Sequence, residues 1–236
     1  MITTLILLRK NKREILLTYI NDIIEKDVIK RYRIRKAEEI KDLVRFYLTN
    51  FSSPVTNTSV SKFLNISKDT VEKFSRYLED AFILSFLKRF SFKIKEVEKS
   101  PRKVYSVDTG LSNTMGFSFT ENIGRNAENI VYLELLRMKS EQRELEIFYW
   151  KDTQNREVDF VIKKGRSVEK LIQVCWDIKN PKTMQREIRA LISASDRLNC
   201  SQLFLINSDI EDSININGKV LKIVQLTDFL QNRLDP

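Results

Sequence analysis

The chain has 236 residues, 42% of them apolar, which is enough for one large or two small domains with their own cores. It contains no histidine, which excludes a Ser-His-Asp triad, a Cys-His dyad and the usual zinc sites, and its two cysteines do not suggest a disulfide framework. No apolar run approaches the roughly 20 residues that a membrane-spanning helix needs, so we expect no membrane partner.

The net charge of +9 is confined to the first half of the chain. Residues 1–120 contain 23 Lys and Arg against 14 Asp and Glu, whereas residues 121–236 contain 18 of each. Such a basic excess is typical of nucleic-acid binding, although a solvated basic surface without a polyanion partner gives the same composition. The apolar run at residues 3–8 is short and its basic residues follow it, which is atypical of a signal peptide, so we expect a cytoplasmic location.

Residues 1–36 are predicted to form an N-terminal helical segment, and residues 37–120 a domain of three helices and two strands. Pro54 ends one helix, and Ser67 is a suitable N-cap for another. The predicted helices are Asn11–Arg33, Ala37–Asn50, Thr58–Leu64 and Lys68–Ala81, and the predicted strands are Ile83–Ile94 and Lys103–Asp108.

Three helices followed by a two-stranded ribbon indicate a winged helix in residues 37–120. In DNA-binding examples the third helix enters the major groove of duplex DNA and the ribbon contacts the backbone. Glu72 lies at helical spacing from Lys68 and Arg76, so an alternative is that these charges only pair with one another. The candidate nucleic-acid contacts are the basic residues of the third helix and the ribbon, namely Lys68, Lys73, Arg76, Lys88, Arg89, Lys93, Lys95, Lys99, Arg102 and Lys103.

Residues 121–236 alternate helices with strands, which predicts a mixed sheet covered by helices. We therefore expect an α/β fold class for this half and an α+β class for the whole chain. The predicted helices are Asn126–Met138, Pro181–Ser195 and Thr227–Arg233, and the predicted strands are Leu145–Trp150, Glu157–Lys163, Val168–Trp176, Gln202–Asn207 and Val220–Gln225.

The segment Arg156–Ile178 places polar residues within two predicted strands. Asp159 lies in the first strand, and Lys164 and Gly165 form the turn. Gln173 and Cys175 stand two apart in the second strand, so strand alternation places them on one face of the sheet.

Five stretches of the chain form a recognisable order: LLTYINDIIEKDVIKRY, TVEKFSRYLEDAFILSFLKRFSF, PRKVYSVDTGL, GRNAENIVYLELLR and REVDFVI. They resemble the C-terminal region of a large archaeal and bacterial group of AAA-type ATPases. In that group a P-loop ATPase domain is followed by a winged helix and then by a PD-(D/E)XK nuclease-like, or restriction-endonuclease-like, domain of uncharacterised function. The resemblance extends from about Asn11 to about Leu230.

The P-loop itself is missing from the sequence. None of the five glycines begins a G-x-x-x-x-G-K-[ST] loop, so this chain is not the ATPase motor. It resembles the module that normally follows one, either standing alone or cut from a longer ancestor. The resemblance therefore implies a separate ATPase subunit as a candidate partner.

The resemblance also implies a metal site. In active members, a helix carboxylate, a strand Asp and the first residue of an [E/Q]-x-K pair hold Mg²⁺ or Mn²⁺. Here these positions are Glu128, Asp159 and Gln173, with Glu128 and Asp159 as the metal ligands if the site is active. The lysine position holds Cys175, which cannot supply a positive charge beside the attacked phosphate, so we expect a silent site without a cofactor.

These observations leave three functions open. The first, which we expect, is a non-catalytic nucleic-acid-binding or adaptor module whose polar site residues are a satisfied cluster. The second is a metal-dependent DNA nuclease with a variant site. The third is a protein-binding partner of a separate ATPase. A fold does not determine a function, so the site must decide among them.

Overall fold

The structure is a computed structural model that describes residues 12–116, 122–216 and 218–231. The protein is α+β, as predicted, with one three-stranded and one six-stranded sheet in the described residues. Some predictions concern residues outside these ranges, namely the role of the apolar run at residues 3–8 and the helix ends at Asn11 and Arg233. Within the same part of the chain, no helix is long and apolar enough to cross a membrane.

The chain divides into two units. The first unit comprises Met1–Phe86 and Pro101–Glu121, and the second comprises Leu87–Ser100 and Asn122–Pro236. The excursion of Leu87–Ser100 into the second unit was not predicted.

The first predicted helix has two parts. Helix α1 (Lys12–Ile23) continues into a π-helical segment (Ile24–Lys30), and its buried residues recur at every fourth position from Leu16 to Val28. A spacing of four drifts around an α-helix, which has about 3.6 residues per turn. The wider turn of the π-helix opposes that drift, so one apolar stripe faces the core along the whole length.

Three further helices of the first unit agree closely with the prediction: α2 (Ala37–Thr49), α3 (Asn57–Leu64) and α4 (Lys68–Asp80). Ser67 caps α4 as expected, since its Oγ accepts a hydrogen bond of 3.1 Å from the Thr70 N–H. A short strand between α2 and α3, β1 (Ser53–Val55), was not predicted.

The predicted strand Ile83–Ile94 is wrong beyond its first half. Strand β2 covers only Leu84–Leu87, and the chain then turns to other partners, because the Phe90 N–H donates to the Tyr149 carbonyl at 2.7 Å. We call residues 88–100 the connector. The connector ends in a short helix, α5 (Ile94–Lys99), and not in an extended ribbon.

The chain returns to the small sheet after the connector. Strand β3 (Arg102–Ser106) lies between β1 and β2, so the order is β1-β3-β2. Helix α6 (Thr109–Met115) follows and was not predicted; Asp108 caps it by accepting from the Gly110 N–H at 2.6 Å.

The second unit contains the predicted mixed sheet with one additional strand, β8. Its order is β4-β5-β6-β7-β9-β8, in which β6, β7 and β9 are parallel and the other neighbours are antiparallel. The elements are α7 (Ile123–Glu141), β4 (Leu145–Lys151), β5 (Glu157–Lys164), β6 (Ser167–Val174), α8 (Pro181–Leu198), β7 (Leu203–Asn207), β8 (Asp212–Ile216), β9 (Lys219–Gln225) and α9 (Leu226–Leu230).

Helices α7 and α8 cover opposite faces of this sheet. On one face, Tyr132 of α7 stacks on Phe160 of β5, with ring centroids 6.2 Å apart. On the other face, Leu191 of α8 packs in a core with Leu171 and Leu205. Successive residues of a strand point to opposite faces, so Asp159, next to Phe160, faces α8.

Candidate functional site

Asp159 and Gln173 are brought together where β5 pairs with β6. The Asp159 N–H donates to Gln173 Oε1 at 3.1 Å, and the Val174 N–H donates to Asp159 Oδ2 at 3.0 Å. Both residues are only 6% exposed. The carboxylate and the amide are therefore held by the hairpin's own backbone.

Glu187 of α8 is the third member of this polar cluster, and the sequence analysis did not identify it. Gln173 Nε2 donates to Glu187 Oε2 at 2.8 Å, while Arg186 donates to Glu187 Oε1 from Nε at 3.0 Å and from a terminal nitrogen at 2.5 Å. One signal could have revealed it. Glu187 lies three and four residues before Ala190 and Leu191, on the apolar face of the helix.

Burial controls the protonation of Glu187. Loss of solvation raises the pKa of its carboxyl above the ordinary value of 4.5, and the charge of Asp159 raises it further. The hydrogen bonds and positive charge of Arg186, with a hydrogen bond from Gln173, oppose this rise without cancelling it. The cluster is thus an internally hydrogen-bonded group that holds a proton more tightly than an exposed glutamate does.

The third predicted metal position, Glu128, lies on another element. It is half-buried in the second turn of α7, the helix that covers the face opposite to Asp159. Within the described residues, no three Asp, Glu or Cys side chains converge as a metal site would require. The Gln173 oxygen also accepts from a backbone N–H. These residues do not fit a Mg²⁺ or Mn²⁺ site.

Cys175, at the position where the predicted resemblance implies a lysine, is 8% exposed. Burial, with a smaller effect of the charge of Glu187, raises the pKa of its thiol to about 11, so the side chain is neutral near pH 7. Two nearby lysines do not replace the missing one. Lys163 forms an ion pair with Glu146, and Lys170 lies over the Phe204 ring at 5.9 Å.

The candidate contacts on α4 are exposed, as expected for a helix that approaches a partner. Arg76 pairs with Glu72 at 3.6 Å, which agrees with the alternative interpretation of its charge. Lys73 lies 5.8 Å from the centre of the Tyr77 ring. In the described structure Lys68 does not form the expected pair with Glu72, so Lys68 and Lys73 remain available.

The connector lysines differ in how available they are. Lys88 pairs with Glu98 at 2.6 Å and Lys93 with Glu96 at 3.3 Å, whereas Lys95 and Lys99 are exposed on α5 without an ion pair among the described residues.

The two candidate arginines are less accessible than the connector lysines, and Lys103 is not accessible at all. Arg89 is half-buried and donates to the Lys151 carbonyl, and Arg102 is also half-buried. Lys103 is 1% exposed, because β3 is buried on both faces from Lys103 to Ser106. Its selection as a phosphate contact was wrong.

Two family models match the two parts of this protein. The model described as a domain of unknown function, DUF8612, matches residues 6–125, just over half of the chain, so the chain belongs to this family. A second domain of unknown function, DUF4143, matches residues 123–227 and is commonly found in C-terminal regions of AAA-type ATPases. This part of the predicted resemblance is confirmed, and the two matches meet where α7 begins.

Two curated relatives are similar to most of the chain. An uncharacterized protein of Methanocaldococcus jannaschii is 36% identical over 184 residues, covering 76% of this chain and 40% of the relative. An uncharacterized protein of Haemophilus influenzae is 27% identical over 172 residues, covering 71% of this chain and 41% of the relative. The chain thus spans about two fifths of the length of these relatives. No solved structure matches it.

The raised pKa of Glu187 makes the stability of the protein depend on pH. The stabilisation from its tightly held proton is complete below the unfolded pKa and is lost as pH rises through the folded pKa. The Glu187→Gln variant has no such proton to lose. The free energy of unfolding of this variant minus that of wild type should therefore increase from about pH 4 to about pH 7. Urea denaturation at both pH values measures the change.

Asp152→Asn is the matched control, with the opposite sign. Burial raises the pKa of Asp152, but hydrogen bonds from Arg156 and Gln154 outweigh burial, and the pKa is lowered. The stability that Asp152 contributes is therefore present above its unfolded pKa and is lost as pH falls through its folded pKa, so this variant should lose relative stability as pH rises to about 4 and change little between about pH 4 and pH 7. The same sign for both variants would contradict the assignment.

Cys175 should react slowly in the folded protein. A pKa raised from 9.0 to about 11 lowers the thiolate fraction by about a hundredfold near neutral pH. In a Cys200→Ser background, alkylation by iodoacetamide at about pH 8 should be at least that much slower in the native protein than in urea. Similar rates in both states would show that the thiol is neither buried nor shifted.

Proposed function

We propose that this protein is a non-catalytic module that binds duplex DNA through a winged helix formed by α2–α4 and the β1-β3-β2 sheet. Helix α4 is the helix that approaches the major groove, and the connector contacts the phosphate backbone. The nuclease-like unit that follows provides a scaffold and no catalysis. Both the winged helix and the nuclease-like fold are assignments of this proposal.

The main support comes from the connector. It joins β2 to β3, which is where the wing of a winged helix lies, and it presents Lys95 and Lys99 on an exposed helix without ion pairs among the described residues. Unpaired exposed lysines attract phosphates without selecting bases, so this surface favours backbone contact over sequence-specific recognition.

An adaptor role for the whole protein is consistent with its relatives. DUF4143 domains are commonly found in C-terminal regions of AAA-type ATPases, and the relatives extend well beyond the matched segment. We therefore infer that the module brings DNA to an ATPase, whether that ATPase is a separate subunit or part of a longer chain.

One observation favours a second function, a metal-dependent nuclease. Arg186 is paired with Glu187, keeps a side-chain exposure of 72%, and acts electrostatically on both Cys175 and Asp159. It thus supplies a cation near the position from which the lysine is missing. The hydrogen bonds of Gln173 and the absence of a convergent ligand set in the described residues weigh against this function.

Removal of the unpaired connector lysines should weaken DNA binding on every sequence. For Lys95→Ala with Lys99→Ala, the slope of log affinity against log salt should fall in magnitude by about 2, nearly one unit per lost phosphate contact. Adding Lys93→Ala should have a smaller effect, because Lys93 already pairs with Glu96. Fluorescence anisotropy with several duplexes measures the slopes.

The matched control for the connector is Lys139→Ala with Lys182→Ala. These two lysines of α7 and α8 are also exposed and without ion pairs in the described structure, so the control removes the same charge elsewhere. Equal losses in both double variants would show that the connector is not a contact.

The nuclease-like site should be silent. With Mg²⁺ or Mn²⁺, cleavage of duplex, single-stranded or branched DNA by wild type should not exceed the background of Asp159→Ala and Glu128→Ala. Cys175→Lys should not restore activity, because a lysine alone does not create a metal site from oxygens that are already hydrogen-bonded. Metal-dependent cleavage that disappears in Asp159→Ala would make the second function correct.

A further inference from the structure

A densely basic segment precedes the winged helix and has no place in the function proposed so far. Residues 30–36 read KRYRIRK, with five cations in seven residues and no acid. Lys36 pairs with Glu39, but Lys30, Arg31, Arg33 and Arg35 are exposed and form no ion pair among the described residues. We call this segment the arginine turn.

The arginine turn is held in a defined position. The Tyr32 ring stacks on Tyr77 of α4, with centroids 3.6 Å apart and planes within 10°. The Tyr32 hydroxyl donates to Asp80 at 3.0 Å. Arg33 adopts a left-handed conformation with φ of 52°, and the Ile34 N–H donates to the Ile29 carbonyl at 3.0 Å, which ends the helix. The guanidinium groups therefore project from a fixed turn.

The stacked tyrosines join the turn to the cations of α4. Arg31 lies 5.5 Å from the centre of the Tyr32 ring, and Lys73 lies 5.8 Å from that of Tyr77. Cations at this distance from an aromatic face are favourably placed and keep their donors available. The turn thus extends the basic surface of the helix that we propose to approach DNA.

We propose that Arg31, Arg33 and Arg35 bind the phosphodiester backbone of nucleic acid beside the groove that α4 approaches. This inference rests on the proposed DNA-binding function and adds a second contact surface to it. Arginine is the suited residue, because its planar guanidinium donates to two phosphate oxygens at once. Duplex DNA, with one charge per about 1.7 Å of axis, matches the dense spacing of these cations better than scattered carboxylates of an acidic protein would.

The test compares two triple variants of the full chain. Arg31→Ala, Arg33→Ala and Arg35→Ala should lower the magnitude of the salt slope for a short mixed-sequence duplex by about 2 to 3. The control, Arg143→Ala, Arg166→Ala and Arg189→Ala, removes the same charge from exposed positions of the second unit and should leave the slope nearly unchanged. Melting temperatures verify that the variants are folded. The single variant Arg35→Glu changes a side chain without described contacts, so it should weaken DNA binding even if the triple variant unfolds.

The outcomes separate this inference from the proposed function. Replacement of the three arginines by lysine should keep most of the slope, because counterion release depends on charge. If wild type binds duplex and the arginine and control variants lose affinity equally, the inference fails and the proposed function stands. If wild type binds no duplex at any salt, both fail. If the arginine turn affects binding of polyglutamate and not of DNA, its partner is an acidic protein and the inference is overturned.

Discussion

Two carboxylates buried between one helix and one hairpin impose the constraint on which the second unit depends. A buried carboxylate is costly unless hydrogen bonds or charges compensate it. Here Gln173 links the backbone of Asp159 to the side chain of Glu187, and Arg186 covers the remaining Glu187 oxygen. The register of β5 on β6 and the rotation of α8 are therefore coupled, since a slip of one residue would turn these groups to the wrong face.

The same hydrogen bonds satisfy the polar residues of this hairpin from within the protein. Asp159 Oδ2 and Gln173 Oε1 each accept a backbone N–H, so part of the acceptor capacity that a metal ion would need is already used. Cys175 fits this setting as a neutral thiol, because burial and the nearby charge of Glu187 disfavour its ionised form. Stability of the hairpin is sufficient reason to keep the polar residues.

Part of the positive charge of the first half lies on two separate segments. The arginine turn belongs to the first unit, held by the stack of Tyr32 on Tyr77, and the connector lysines belong to the second unit. Each segment keeps several cations without an ion pair among the described residues, although Lys36, Lys88 and Lys93 are paired with nearby acids. One feature of the composition therefore corresponds to two surfaces that mutagenesis can address independently.

The sequence by itself determined the elements whose causes are local. Helix α4 follows from its cap at Ser67 and its apolar stripe, and the two strands joined by the turn at Gly165 were predicted, with Asp159 in the first and Gln173 in the second. Only the tertiary structure decided the features with distant causes. The connector leaves the small sheet because Phe90 bonds to Tyr149, and Lys103 is buried because both faces of its strand are covered. Helical spacing places Glu187 on the buried face of α8, but its partner Gln173 is set by the packing of α8 on β6.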